Sequence, residues 1–291
     1  MGFGQHQSFH LRVNWLSKAA KMVNQDPRFF FDDFGFEKIG LGRNMFKSLK
    51  FWALATNIIR ENKVSSKYVI HELTEFGQLF YKYDRFIRLP LTRALLHYFL
   101  ISRKDLATSW YWFFNEFSMG TSTTQELQEQ LRNWASMISR RPVSDSSIRR
   151  DIECIKQVYT IGTVQFADPE EVIASPLSSL GLIEEHRGVW MKSQPKLERI
   201  GLDALYFLLL DWCFKSNSFS VTLDELQLRS GLWGKIFNLS INQMLQVIEQ
   251  MEADDFYEIK FVRTNQIYEL HIPSIDRYNF LEMAYQRRVT L

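Results

Sequence analysis

Cysteine is nearly absent from this 291-residue chain: Cys154 and Cys213 are the only two. A disulfide scaffold and a cysteine-built zinc site are therefore excluded, and two isolated thiols fit a reducing cytoplasm. No apolar run approaches the roughly 18 residues that a membrane span needs. The longest candidate, Leu205 to Phe214, is interrupted by Asp211. The first residues, Met1 to His6, lack a basic start followed by an apolar stretch, so no secretion signal is expected. Several chemical signatures are also missing. The chain has no Gly-x-x-x-x-Gly-Lys-[Ser/Thr] phosphate loop, no Gly-x-Gly-x-x-Gly turn, no His-Glu-x-x-His and no Gly-x-Ser-x-Gly elbow. ATPase, dinucleotide-dependent, zinc-protease and serine-hydrolase readings thus lack support.

What the chain has is apolar and aromatic mass. Hydrophobic residues make up 46% and aromatics 15%, enough for well-packed cores and too much for disorder. Its net charge of +2 hides an asymmetry. Residues 1–104 carry 17 Lys and Arg against 8 Asp and Glu, a balance of +9, while residues 105–291 carry 18 against 25, a balance of −7. A basic first third fits an electrostatic footprint on phosphate, and the acidic remainder suits protein contacts.

Within that basic third, residues 36–52 read as a helix, a two-glycine turn and a second helix. Gly40 can take the left-handed conformation that closes a helix, and Gly42 lets the chain re-enter one. In the second helix Met45, Leu49 and Trp52 share an apolar face, with Arg43, Lys47 and Lys50 on the other side. A helix-turn-helix with a basic outer face suits the DNA major groove. Asn44 is placed to read an adenine edge and Arg43 a guanine edge. A helix over about Asn14 to Asn24, broken at Asp26-Pro27, precedes the motif. A turn at Asn62 to Ser66, a strand at Tyr68 to Leu73 and a short helix to Tyr83 follow it, putting Lys63 and Lys67 on or beside a wing that touches phosphate.

The expected fold is mostly α with small β-hairpins: tandem winged-helix-like units around a helical middle. The expected divisions are a basic DNA-binding unit over 1–90, a helical middle over 91–200 and a structural or partner-binding unit over 201–291. In the middle, Leu91 to Ile101 and Ala107 to Phe117 read as buried helices, because Trp110 to Asn115 is aromatic on every side. Ser122 or Thr123 caps a helix to Met137, and Ser144 caps another to Val158 that carries Arg149 and Arg150. Leu182 to Met191 reads as a hairpin turning near Gly188, after a loop-rich Thr163 to Ser179. In the last third, Leu202 to Lys215 is a buried helix, and Thr222 with Glu225 forms a capping box opening a helix that ends near Ser230-Gly231. Ser240 to Ala253 is helical, and Tyr257–Val262 pairs with Ile267–Ile272 through a turn at Thr264-Asn265. That third helix ends in Glu249, Glu252, Asp254 and Asp255, an acidic surface that reads no groove.

Nuclease chemistry calls for carboxylates, with or without His, around a divalent metal. Asp26/Asp32/Asp33, His71/Glu72/Glu75 and Glu184/Glu185/His186 are the clusters available, none with diagnostic spacing, and each reads as solvated surface. No metal site is assigned, although a divalent metal would be needed for a metal-dependent nick. The run Gly4 to Lys18 is dense in functional residue types, including His6, Ser8, Arg12 and Lys18. It is either a strand-like arm pinned by Phe9 and Trp15, or an arm that contacts DNA or a cleavage site.

These residues carry a resemblance. Gly4, Ser8-Phe9, Arg12, Trp15-Leu16 and Lys18, then Leu41 to Met45 with Trp52, Leu95 to Tyr98 and Trp110 to Asn115 are similar to the signature of a prokaryotic domain-of-unknown-function family, number 4007. The resemblance spans the chain and is most specific in its first 120 residues. It implies a component of DNA phosphorothioate modification and phage-defence gene clusters. The neighbours it implies are a cysteine desulfurase, an ATP-pyrophosphatase-like protein and an ATPase. It also implies a nicking role in the single-stranded version of that modification, without indicating a catalytic residue. The reading from a different functional class is a non-enzymatic winged-helix adaptor or transcriptional regulator.

Overall fold

The computed structural model describes residues 1–65, 68–118, 120–160, 174–264 and 267–289. Helices dominate, and the strands form three small antiparallel sheets. Helix α1, Val13–Gln25, buries Trp15, Leu16, Ala19, Ala20 and Val23 along one stripe, the 3.6-residue spacing of an amphipathic helix. A 3-10 turn at Phe29–Phe31 and the single-turn α2, Gly35–Lys38, lead into α3, Arg43–Ala55. The helix ahead of the two-glycine turn is thus only one turn long. Strands β1, Ile59–Ser65, and β2, Tyr68–Leu73, make a hairpin, and α4, Glu75–Tyr83, follows with Thr74 as its cap. The segment expected as a turn at Asn62 to Ser66 is strand as far as Ser65, because Asn62 and Lys63 pair with Ile70 and Val69.

At the centre lies α5, Pro90–Ser102, buried on almost every side. The aromatic run after it splits into α6, Thr108–Tyr111, and a π turn at Trp112–Glu116. Asn115 explains how the wider turn is held: its side chain donates to the Ile101 and Tyr111 carbonyls at 3.2 Å each and accepts from the Gly231 N–H at 2.9 Å. His97 joins three parts of the chain. Its Nδ1 lies 2.7 Å from the Tyr159 hydroxyl and its Nε2 2.7 Å from the Ile236 carbonyl. Nε2–H therefore donates to the carbonyl and Nδ1 accepts the hydroxyl proton. Burial holds its pKa down to about 3.

The next two stretches share a topology. Strand β3, Thr121–Thr123, is followed by α7, Thr124–Ile138, α8, Asp145–Tyr159, and the hairpin β4, Ile183–His186, with β5, Val189–Lys192; the sheet order is β3-β5-β4. After α9, Leu202–Ser216, comes β6, Ser220–Thr222, then α10, Leu223–Leu228, α11, Trp233–Phe237, and α12, Ile241–Glu252. The hairpin β7, Lys260–Thr264, and β8, Ile267–His271, completes a sheet ordered β6-β8-β7. In each case the strand ahead of the helices pairs with the last strand of the hairpin. Thr123 with Glu126 and Thr222 with Glu225 form the capping boxes that turn strand into helix. Helix α10 stops at Leu228, two residues short of the expected Ser230-Gly231. The acidic end of α12 is tied down: Glu249 pairs with Arg263 at 3.7 Å and Asp254 with Arg287 at 2.9 Å.

Helix α13, Arg277–Val289, packs on both α4 and α9. One hydrophobic core runs from Leu11 to Tyr285. Among the described residues, no helix is long and apolar enough to cross a membrane.

Candidate nucleic-acid interface

Helix α3 is built as its periodicity requires. Gly40 sits at φ +65°, where a side chain would be strained, and closes the turn by donating to the Glu37 carbonyl. Gly42, at φ −73°, is ordinary extended backbone, and its carbonyl receives the Phe46 N–H at 2.9 Å. Phe46, Leu49, Trp52 and Ala53 are buried, Arg43, Asn44 and Lys47 are exposed, and Lys50 is half-buried.

The basic side of α3 does not face open solvent alone. The Phe29–Phe31 turn folds back beside it, and the segment to Phe36 forms a second wall. Phe30, Phe31, Asp32, Asp33 and Phe36 on that wall and Arg43, Phe46, Lys47 and Lys50 on α3 enclose a groove of about 350 Å³. Cations lie against its rings: Arg43 is 5.1 Å from the Phe36 centroid and Lys50 4.9 Å from that of Phe31. Arg28 lies 4.8 Å from Phe31 and 4.9 Å from Tyr68, and donates from Nη1 to the Val69 carbonyl at 2.9 Å. Asp32 accepts the Phe34 N–H and pairs with Lys38 at 2.6 Å, which holds its carboxyl below the usual range.

Behind Phe31 stands His71, fully buried, with the two rings stacked at 4.8 Å. His71 Nε2 is 3.5 Å from Glu61, which also meets Lys50 at 3.1 Å. Burial, reinforced by the positive charge of Lys50, pushes the His71 pKa down to about 4. Burial works to raise the Glu61 carboxyl, but the hydrogen bond and charge of Lys50 outweigh it and the pKa falls. Lys63 is exposed on β1, whose Arg60 and Asn62 both hold Glu72 from across the hairpin. Lys67 lies outside the described residues.

A second basic cluster forms across a long sequence separation. Ser8, Arg149, Arg150, Glu153, Cys154 and Gln157 line a cavity of about 300 Å³. The expected strand-like arm is instead a tight turn, with Gln7 at φ 52° and Ser8 at φ 66°. Two successive non-glycine residues in the left-handed region cost about 1–3 kcal/mol each, so something must hold them. Asp151 does. Its Oδ1 accepts from the Gly4 N–H and lies 2.9 Å from His6 Nε2, and its Oδ2 accepts from Ser109 Oγ at 2.6 Å. The Phe9 carbonyl then receives Trp52 Nε1–H at 3.0 Å. His6 is fully buried between Trp110 and Phe51, so its place is in the anchor of the arm. Ser8 is exposed, Arg12 lies over Trp15 at 5.4 Å, and Lys18 donates to the Ile39 carbonyl at 3.4 Å.

The carboxylate clusters are mostly committed to partners. Asp26 caps the Arg28 N–H, Glu184 accepts from Ser193 Oγ, and Glu185 holds both Lys156 and the Gly188 N–H. His71 corrects the expectation of a solvated surface at its cluster. No group of three or more His, Cys, Asp or Glu comes together among the described residues in a way that would hold a metal ion. Asp151, Ser109, Glu61, Arg28 and Phe31 are the residues that sequence reasoning passed over. Their roles come from partners distant in sequence, so no local spacing signals them.

A family model described as "Protein of unknown function (DUF4007)" matches residues 3–285. The chain belongs to the DUF4007 family. Two solved structures share this DUF4007 fold. One, described as "SspB crystal structure", superposes with a TM-score of 0.87 at 21% identity, covering 98% of this chain and 88% of that one. The other, described as "Magnesium ion-bound SspB crystal structure", gives a TM-score of 0.88 at the same identity and coverage. At that identity the likeness is one of fold. No curated protein matches the sequence significantly.

Proposed function

We propose that this DUF4007 protein is the DNA-binding component of a DNA phosphorothioate modification or phage-defence system, nicking or recognising the target strand for sulfur incorporation. The observation that carries the reading is the α3 groove, where Arg43, Lys47 and Lys50 converge beside the β1–β2 hairpin in the basic third of the chain. Cations on a helix beside an exposed hairpin are how winged-helix units hold phosphate. The two later units, with sheet orders β3-β5-β4 and β6-β8-β7, read as winged-helix copies. Arg149 and Arg150 in the first of these, beside Ser8, supply a second phosphate contact. The family resemblance supports the biological setting and with it the sulfur-transfer partners. A nick makes chemical sense there, because exchanging a phosphate oxygen for sulfur requires access to one backbone linkage.

Magnesium is bound to SspB in one of the related structures. The described residues here do not fit a resident divalent ion: Asp32 is spent on Lys38, Glu61 on Lys50 and Glu72 on Arg60. That same engagement of the carboxylates favours the second reading, a non-enzymatic adaptor. A plasmid-relaxation assay with and without Mg²⁺ or Mn²⁺ separates the two. Relaxed circles are the expected result for a nickase. Binding without relaxed circles, in either metal, assigns the chain to the adaptor class. Absence of salt-sensitive DNA binding overturns both.

A further inference from the structure

Resting on the DNA-binding reading, we infer that the groove between α3 and the Phe29–Phe36 segment seats one unpaired nucleotide, its base on the aromatic wall and its phosphate on the cations of α3. Three observations converge on this occupant. First, the basic strip of α3 shares its groove with Phe31, Phe36 and two aspartates. A helix lying in the major groove presents its outer face to base edges, whereas this face looks across a cleft at another part of its own chain.

Second, the cleft has the dimensions and the chemistry of a nucleotide seat. Its volume of about 350 Å³ falls in the range of small-ligand pockets. Phe31 is 39% exposed, and it is a large aromatic ring kept in water beside two cations at 4.8 and 4.9 Å. His71, stacked behind the ring, fixes its plane. A partly exposed ring with lysine and arginine lying over it is a pairing that binds single strands once a base takes the place of those cations on the ring and they turn to its phosphate. Third, α3 is the basic wall of the groove: Arg43 and Lys47 line it and attract phosphate, while Asp33 stands across from them with the rings and Asp32 is held by Lys38. The orientation of the nucleotide follows: backbone along α3, base inward toward the rings.

The test titrates the full-length protein against labelled oligo-dC and against a duplex of the same length, by fluorescence anisotropy. Phe31→Ala should weaken single-strand binding about tenfold, the loss of one stacked base, and change duplex binding by less than about twofold. Phe31→Leu, which keeps apolar bulk but has no π-face, should follow Phe31→Ala and separates stacking from propping of the hairpin. Lys47→Glu should weaken both substrates. Equal losses on both substrates from Phe31→Ala, an unchanged single-strand affinity, or undiminished single-strand binding by Phe31→Leu each overturn the inference. Duplex binding with no Phe31-selective loss sinks the nucleotide seat alone, whereas failure to bind either DNA sinks the DNA-binding reading as well.

Discussion

Replacing Asp151 with alanine should cost about 3–5 kcal/mol, the range for breaking a buried, hydrogen-bonded charge network by removing one partner. The figure can be built from the contacts. Asp151 is 1% exposed and serves three donors: the Gly4 N–H, His6 Nε2 and Ser109 Oγ. A hydrogen bond to a charged acceptor contributes about 1.5–3 kcal/mol, and three sharing one carboxylate add to less than their sum. Alanine leaves His6 and Ser109 buried without this acceptor. The strained turn at Gln7 and Ser8 then loses its anchor, and relief of that strain favours release of the arm. Asn should cost less, because its amide oxygen can still accept from Gly4 or His6 and its NH₂ can donate to Ser109 Oγ. Urea unfolding followed by tryptophan fluorescence gives the stability, and limited proteolysis of the folded protein reports the arm. A loss below about 1 kcal/mol with the arm still protected would refute the reasoning. A stable Asp151→Ala protein with a cleavable arm and weaker DNA binding would tie Ser8 to the Arg149–Arg150 cavity in function.

Lys47→Glu should reduce affinity across all DNA sequences and lower the salt slope by about 1, read from anisotropy titrations at several salt concentrations; adding Lys50→Glu should deepen the loss, but it also breaks the Glu61 ion pair. The His71 pKa of about 4 implies a pH-dependent stability. Below its ordinary value near 6.5 the unfolded chain takes up a proton that the folded chain refuses, so stability falls as the pH drops from about 6.5 to about 4. His71→Phe should flatten that part of the urea-midpoint profile, and parallel profiles would count against it. A Cβ added at Gly77 would run into the Ile58 carbonyl, so Gly77→Ala should destabilise by about 3 kcal/mol or more in the same unfolding assay. Thr222→Ala removes a capping box and should cost about 1 kcal/mol.

Helices with strong periodicity or a cap were legible in the sequence: α1, α3, α5, α7, α8, α9 and α12 fall close to where composition puts them. The three-residue strands β3 and β6 were not, for a physical reason. Each ends on the threonine that caps the next helix, so the local signal at Thr123 and Thr222 reads as cap and the strand pairing is invisible. The hairpin was half legible, since β1 buries only Ile59 and the rest of it looks like a polar turn. Helix α13 escaped notice because its partners are remote and its apolar face is narrow: Phe280, Leu281, Ala284 and Tyr285 are its buried residues. The exposed face of α3 could be read from spacing alone. The aromatic wall across from it could not, because it depends on how the Phe29–Phe36 segment folds back. The buried carboxylate of Asp151 was equally hidden, its partner His6 lying 145 residues away.

Helix α13 also sets an order of events. Glu282 binds Lys82 at 2.8 Å and the Tyr83 hydroxyl at 2.9 Å, Tyr285 stacks on Tyr83 and bonds Thr92, and Arg288 reaches Asp203 at 2.7 Å. Lys82 and Glu282 are separated by 200 residues, which at a synthesis rate of 5–20 residues per second is a delay of roughly 10–40 s. Throughout that interval the face of α4 that α13 will cover has no native partner. The nascent chain therefore emerges with the Lys82–Tyr83 face of α4 uncovered, and covers it only when the ribosome has translated α13.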